Sequence, residues 1–188
     1  VIGFGRVGQI ASQGVIARGA SLTVIDNDTE VIRVAQEYLG FKVYYGDGAR
    51  ADVLHAAGAH SASAILVCVD DKAAATRIAE NAKAECPHAR VLVRAFDREH
   101  AVELVKTGGA DFVVRETFES AMKMGFEAVL ATGATVEEAE AVMGDLRRLD
   151  AERFDLEVAG GAFAGRALLQ ARLRQRENND ADTQASPA

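Results

Sequence analysis

The stretch that most constrains this fold is Gly3-Phe4-Gly5-Arg6-Val7-Gly8, three glycines spaced G-x-G-x-x-G after the apolar pair Val1-Ile2. Each glycine answers a different steric demand. Gly3 permits a tight turn, Gly5 lets the backbone approach a pyrophosphate, and Gly8 lets the following helix lie close against the preceding strand. That helix aims its unpaired N–H groups, and the positive end of its dipole, at the phosphates. The spacing alone is a weak signal, so its surroundings must decide.

Those surroundings alternate between strands and helices. Residues 6–19 read as a helix closed by Gly19, and Ser21-Leu22-Thr23-Val24-Ile25 reads as a buried strand. The strand runs into Asp26-Asn27-Asp28, with Asp26 18 residues beyond Gly8. A carboxylate at the tip of a second strand accepts hydrogen bonds from an adenosine ribose and repels a 2′-phosphate. Asp26 therefore favours NAD, NADH or a simple adenine nucleotide over NADP, whereas Asp28 reads as a helix cap. A helix over 29–39 leads to the strand Lys42-Val43-Tyr44-Tyr45. A second glycine-rich turn follows, Gly46-Asp47-Gly48-Ala49-Arg50, and should border the same crevice. Further helices are expected over 50–58, 72–84 and 97–107, and further strands over 63–69, 90–94 and 111–114. The spacing predicts a Rossmann-like, doubly wound parallel sheet of order 3-2-1-4-5-6, counting Val1-Ile2 as the end of strand one.

After residue 114 the pattern changes. Phe118, Met122, Met124, Phe126, Val129 and Leu130 spread over most of one helix's circumference, leaving only a narrow polar stripe. Burying each large side chain is worth about 1.5–3 kcal/mol, so such a helix is expected to cross to, or pack against, a second copy. Thr135-Val136-Glu137-Glu138 is a capping-box pattern that opens a helix running to about Phe154. Arg147 and Arg148 on that helix read as a solvated face. The expected organisation is a nucleotide-binding domain over 1–114 and a crossover and interface segment over 115–154. A possible helical arm over 155–176 and a disordered tail over 177–188 complete it.

Several function classes are disfavoured. A net charge of −7 leaves no excess of Lys and Arg for nucleic acid. No apolar run is long enough to span a bilayer. His55, His60, His88 and His100 form no pairing with acids at a suggestive spacing and read as solvated helix or loop residues. With no catalytic residue and no metal cluster to assign, an enzyme is not expected. Cys68 and Cys86 read as reduced thiols. Val1 stands only about two residues before the glycine turn, where a parallel strand has about five or six, and the chain lacks an initiator Met. The expectation is a piece cut from a longer polypeptide.

Five separated stretches then point one way: the glycine turn with Asp26, the 46–50 turn, Val69-Asp70-Asp71, Arg94-Ala95-Phe96-Asp97 and Arg115-Glu116-Thr117-Phe118-Glu119-Ser120-Ala121. Together they resemble the KTN domain, also called RCK or TrkA-N, and within it the C-terminal domain of the glutathione-gated potassium efflux (Kef) antiporters. Leu146-Arg147-Arg148-Leu149 is similar to a Phe-Arg-Arg-Phe stretch of those proteins. The resemblance implies a homodimer on the cytoplasmic face of the bacterial inner membrane, attached to a potassium-transporting membrane domain. It implies regulatory AMP, NAD or NADH, with glutathione or an adduct at the dimer interface as a further ligand. The implied binding residues are Gly3, Gly5, Arg6, Val7, Gly8, Asp26, Asn27, Gly46, Asp47, Gly48, Val69, Asp70 and Arg94, the last matching a basic residue of the Kef glutathione pocket. Two departures stand out. Gly48-Ala49 replaces the family's Ala-Thr, and Asp150 replaces an Asn, setting an acid against glutathione's carboxylates. The alternatives are an oxidoreductase lacking its substrate domain and a free-standing regulatory subunit of a potassium uptake system.

Overall fold

Short β-branched runs separated by Ala-rich helical stretches build the first part of the chain. In the computed structural model, which describes residues 1–170 except 38, 162 and 169, helices and strands alternate as far as Ala131, and a further helix follows. They are α1 (Arg6–Ala17), β1 (Thr23–Asp26), α2 (Thr29–Glu37), β2 (Lys42–Tyr45), α3 (Ala51–Ala56) with a 3-10 turn at Ala59–Ser61, and β3 (Ala64–Val67). Then come α4 (Lys72–Glu85), β4 (Arg90–Ala95), α5 (Arg98–Lys106), β5 (Phe112–Arg115), α6 (Glu116–Ala131) and α7 (Val136–Gly160). The chain divides into two compact units, Val1–Thr117 and the residues from Phe118 onward.

In the first unit all strand pairs are parallel. β1 pairs with β2 (Thr23 opposite Lys42), and β4 lies between β3 (Ala64 opposite Arg90) and β5 (Leu92 opposite Phe112). Val1-Ile2 does not form a full strand. Ile2 instead makes single parallel bridges to Ile25 and Val67, so it stands between β1 and β3. Its N–H donates to the Leu66 carbonyl at 2.8 Å, and its carbonyl accepts from Cys68 N–H at 2.8 Å. A parallel sheet covered on both faces demands apolar strands. Val24, Ile25, Ile65, Val67, Val91 and Val93 are accordingly buried, and Phe4 packs with Val24 and Ala35. Along β4 burial alternates. Val91, Val93 and Ala95 are fully buried, whereas Leu92 and Arg94 on the opposite face are partly open.

Side-chain caps and clamps fix the helices. Asp71 accepts from Ala74 N–H at 2.6 Å at the start of α4, and Asp97 accepts from His100 N–H at 2.7 Å at the start of α5. Asp111 joins Lys83 of α4 (2.7 Å) to the backbone N–H of Val91 (2.7 Å). The Lys83 ammonium and that N–H hold the Asp111 carboxyl below its ordinary value. One expectation is overturned here. His100 is not solvated but fully buried. Its Nδ1 accepts from Phe96 N–H at 3.1 Å, and its Nε2 meets Thr76 Oγ1 at 3.1 Å. Position in α5, packed against the sheet, outweighs the ring's intrinsic polarity because both nitrogens find partners.

In the second unit the Thr135 capping box is formed. Thr135 N–H donates to Glu138 Oε2 at 2.8 Å, and Glu138 N–H donates to Thr135 Oγ1 at 3.2 Å. The helix it opens runs past Phe154 to Gly160, a second correction. Helicity persists through residues 155–160, with Arg153 Nε donating to Glu157 Oε1 at 2.7 Å one turn on, until Gly161, whose φ of 92° ends it. Arg147 is more than a solvated residue. Its guanidinium donates to both oxygens of Glu119 at 2.9 Å and lies 5.6 Å from the centre of the Phe118 ring. Along α6 no residue is buried, and Met124 is 75% exposed. Residues 166–168 and 170 are helical, and the expected tail over 177–188 lies outside the described residues.

Candidate functional site

Where a strand meets the next helix in a parallel sheet, loops gather at the carboxyl ends and leave a crevice. Here that crevice is a cavity of about 350 Å³. Twelve of the thirteen residues singled out in the sequence line it: Gly3, Gly5, Arg6, Val7, Asp26, Asn27, Gly46, Asp47, Gly48, Val69, Asp70 and Arg94. Gly8 does not. It lies beneath, where an added Cβ would overlap the Gly3 carbonyl oxygen, so its part is to let α1 approach the turn. Gly3 itself adopts φ 83°, and a Cβ there would stand 2.9 Å from the Val69 nitrogen. At Gly5 a Cβ would meet nothing within 4 Å, so the backbone borders open space. No side chain caps α1, in contrast to α4 and α5. This end of the helix is therefore left to an outside acceptor.

Asp26 sits at the last position of β1. Its Oδ2 accepts from Phe4 N–H at 2.7 Å, inside the glycine turn, and its Oδ1 accepts from Asp28 N–H at 2.9 Å. Each carboxylate oxygen has a second lone pair, so the acid is oriented and still able to accept from a hydroxyl. Asp28 caps α2 by accepting from Glu30 N–H at 2.8 Å. The two glycine-rich turns are tied directly, Gly46 N–H donating to the Asp26 carbonyl at 2.9 Å. Asp47 folds its own turn by accepting from Ala49 N–H at 2.9 Å. On the opposite wall the Arg94 guanidinium donates to Asp70 and, at 2.6 Å, to Glu116.

The cavity also involves residues outside those thirteen, among them Asp28, Asp71, Cys68 and Ile78. Asp28 and Asp71 were readable as neighbours of the turns. Ile78, on α4, faces the cavity only through tertiary packing. Burial pushes the Cys68 thiol up, away from thiolate character. Among the described residues no His, Lys or Tyr lines the cavity. Among the described residues no group of three or more His, Cys, Asp and Glu side chains could hold a metal ion, and no helix is long and apolar enough to cross a membrane.

Comparison with known proteins places the chain in a family. The TrkA-N domain profile matches residues 1–116, more than half the chain, and the chain belongs to the TrkA-N domain family. Its relatives include the glutathione-regulated potassium-efflux system protein of Haemophilus influenzae, 43% identical over 161 residues, which is 86% of this chain and 26% of that protein. KefC of Salmonella arizonae is 39% identical over 133 residues, 71% of this chain and 21% of that protein. The chain thus spans about a quarter of the curated relatives it matches. Among solved structures, the Kef C-terminal domain of Shewanella denitrificans in AMP-bound form superposes with a TM-score of 0.75 at 33% identity. That match covers 84% of this chain and 95% of the other. The family resemblance and the α/β fold class expected from the sequence therefore hold.

Proposed function

We propose that this chain is a regulatory nucleotide-binding domain that controls potassium transport by a Kef-type potassium/proton antiporter, the membrane part belonging to the same polypeptide. The carrying observation is the cavity that gathers the glycine turn, Asp26 and the 46–48 turn around one space of about 350 Å³. The ligand of this reading is AMP, NAD or NADH. Its phosphate lies against Gly3, Gly5 and the uncapped start of α1, and its ribose hydroxyls reach Asp26. The likeness to a Kef domain in AMP-bound form supports the choice.

The nucleotide acts as a signal and not as a redox substrate. Hydride transfer calls for a proton donor or orienting group beside the nicotinamide. Among the described residues the cavity offers only carboxylates, one half-buried thiol and two arginines as ionisable groups, and His100 is committed to Thr76 and the Phe96 backbone. The domain works as a homodimer on the cytoplasmic face of the inner membrane, with α6 at the interface. A ligand shifts such a dimer between arrangements only through its difference in affinity for them. Glutathione or an adduct at the interface is a further ligand of this reading. Asp150 makes glutathione bind more weakly than in a relative with Asn there.

Isothermal titration of nucleotide-stripped protein tests the reading. AMP and NADH are expected to bind at least tenfold more tightly than NADPH. Gly5→Ala, which meets no protein atom, is expected to leave the melting temperature unchanged while weakening AMP at least tenfold. Preference for NADPH, or full binding by Gly5→Ala, would overturn the assignment.

A further inference from the structure

The geometry points to Arg94 as a coupling residue, whose guanidinium is contested between a phosphate in the cavity and Glu116, the first residue of α6. The inference rests on the nucleotide reading above and gives Arg94 a part beyond lining the site. Arg94 stands on β4, on the face opposite Val91, Val93 and Ala95, and its side chain is only 13% exposed. Its Nε donates to Glu116 Oε2 at 2.6 Å and its Nη1 to Asp70. Register brings these partners together. Ala95 lies opposite Arg115 in β5, so the residue that opens α6 falls beside Arg94. Asp70 follows β3 and lines the cavity, as Arg94 does, whereas Glu116 does not.

The electrostatics make the allotment of this guanidinium matter. Among the described residues Arg6 and Arg94 are the only cations on the cavity wall, among Asp26, Asp28, Asp47, Asp70 and Asp71. A phosphate entering this acidic space is attracted by whatever part of Arg94 is not taken up by carboxylates. Glu116 and Asp70 take up only two of the guanidinium's five N–H donors, so the competition is one of charge: a phosphate and these carboxylates are anions that share one cation and repel one another at close range. Phosphate held by Arg94 therefore weakens its hold on Glu116. By linkage, an arrangement of α6 that keeps Glu116 on Arg94 weakens the phosphate by the same factor. Arg94 thus ties occupancy of the cavity to the start of the helix assigned to the dimer interface.

Glu116→Gln tests this without touching the cavity lining. Titration with AMP and with adenosine is compared in the wild type and the variant. AMP is expected to bind at least about fivefold more tightly to the variant, the lower end of ordinary coupling between sites. Adenosine, which has no phosphate, should change less than twofold. In an Arg94→Gln background the gain for AMP should vanish. If Arg94→Gln fails to fold, the comparison of AMP with adenosine in Glu116→Gln alone decides. An unchanged AMP affinity, or an equal gain for adenosine, overturns the coupling while leaving the nucleotide reading standing. Absence of AMP and NADH binding in the wild type overturns the nucleotide reading and the coupling with it.

Discussion

Gly8 and Gly5 belong to one motif yet answer to different physics. At Gly8 a methyl group would collide with the Gly3 carbonyl oxygen, a backbone atom that cannot swing aside. Overpacking of this kind costs about 1–3 kcal/mol. Gly8→Ala is therefore expected to lower the urea midpoint by an amount worth about 2 kcal/mol or more, and a change under about 0.5 kcal/mol would refute the close approach. At Gly5 the same methyl group costs the fold nothing and intrudes only on a ligand. This division explains how far residue-scale chemistry was legible in the sequence. The motif states purely local demands on φ and on space, so spacing exposed it. The pairing of Arg94 with Glu116 spans 22 residues and exists only because β4 and β5 lie in register. No spacing rule reports that.

At the scale of the element, α5 shows how packing overrides side-chain character. His100 was readable only as a polar residue on a helix. Packing between the sheet and α4 buries it, and burial lowers its pKa below 6.5, leaving it neutral. The unfolded chain keeps the ordinary value, so above 6.5 this residue adds no pH dependence to stability. As pH falls through 6.5 the unfolded chain takes up a proton that the fold resists, and stability declines until the folded value is passed. Asp97 and Asp111 behave otherwise. Their carboxyls are held below 3.8, Asp97 chiefly by the His100 backbone N–H and Asp111 chiefly by Lys83. What they contribute is complete above 3.8 and is lost as pH falls through their folded values. Urea midpoints should therefore begin to fall near pH 6.5 in the wild type. In His100→Gln, which keeps an amide donor and acceptor, the decline should shift toward the carboxylate range. An unaltered profile in that variant would assign the decline to other groups. The late end of α7 has a similar lesson. Past Phe154, residues 155–160 carry no stop signal of their own, and only the positive φ of Gly161 marks the end.

For the whole molecule, strand–helix alternation gave away the fold class because parallel connections leave few alternatives. How a chain meets a second copy is less legible, since it depends on a surface and not on a period. α6 carries Phe118, Met122 and Phe126 without burying any residue fully, and Met124 is 75% exposed. If this face joins two copies as proposed, multi-angle light scattering at micromolar concentration should return twice the chain mass of 19.9 kDa. Met124→Glu, which sets an unpaired charge in that face, should return a single chain with unchanged helix content. A monomeric wild type, or a Met124→Glu variant that stays dimeric, would remove α6 from the interface.

Cys68 gives the cavity one more property. Of the two cysteines it alone lies on the cavity wall, while Cys86 is closed off inside the fold. Its thiol is sluggish because burial disfavours the thiolate. Because its sulfur is half-buried against the cavity, a ligand seated there is expected to slow its alkylation. The chain therefore carries its own occupancy gauge. The rate at which this one sulfur is labelled, followed as AMP is added, is expected to fall as the site fills, with no dye or tag attached.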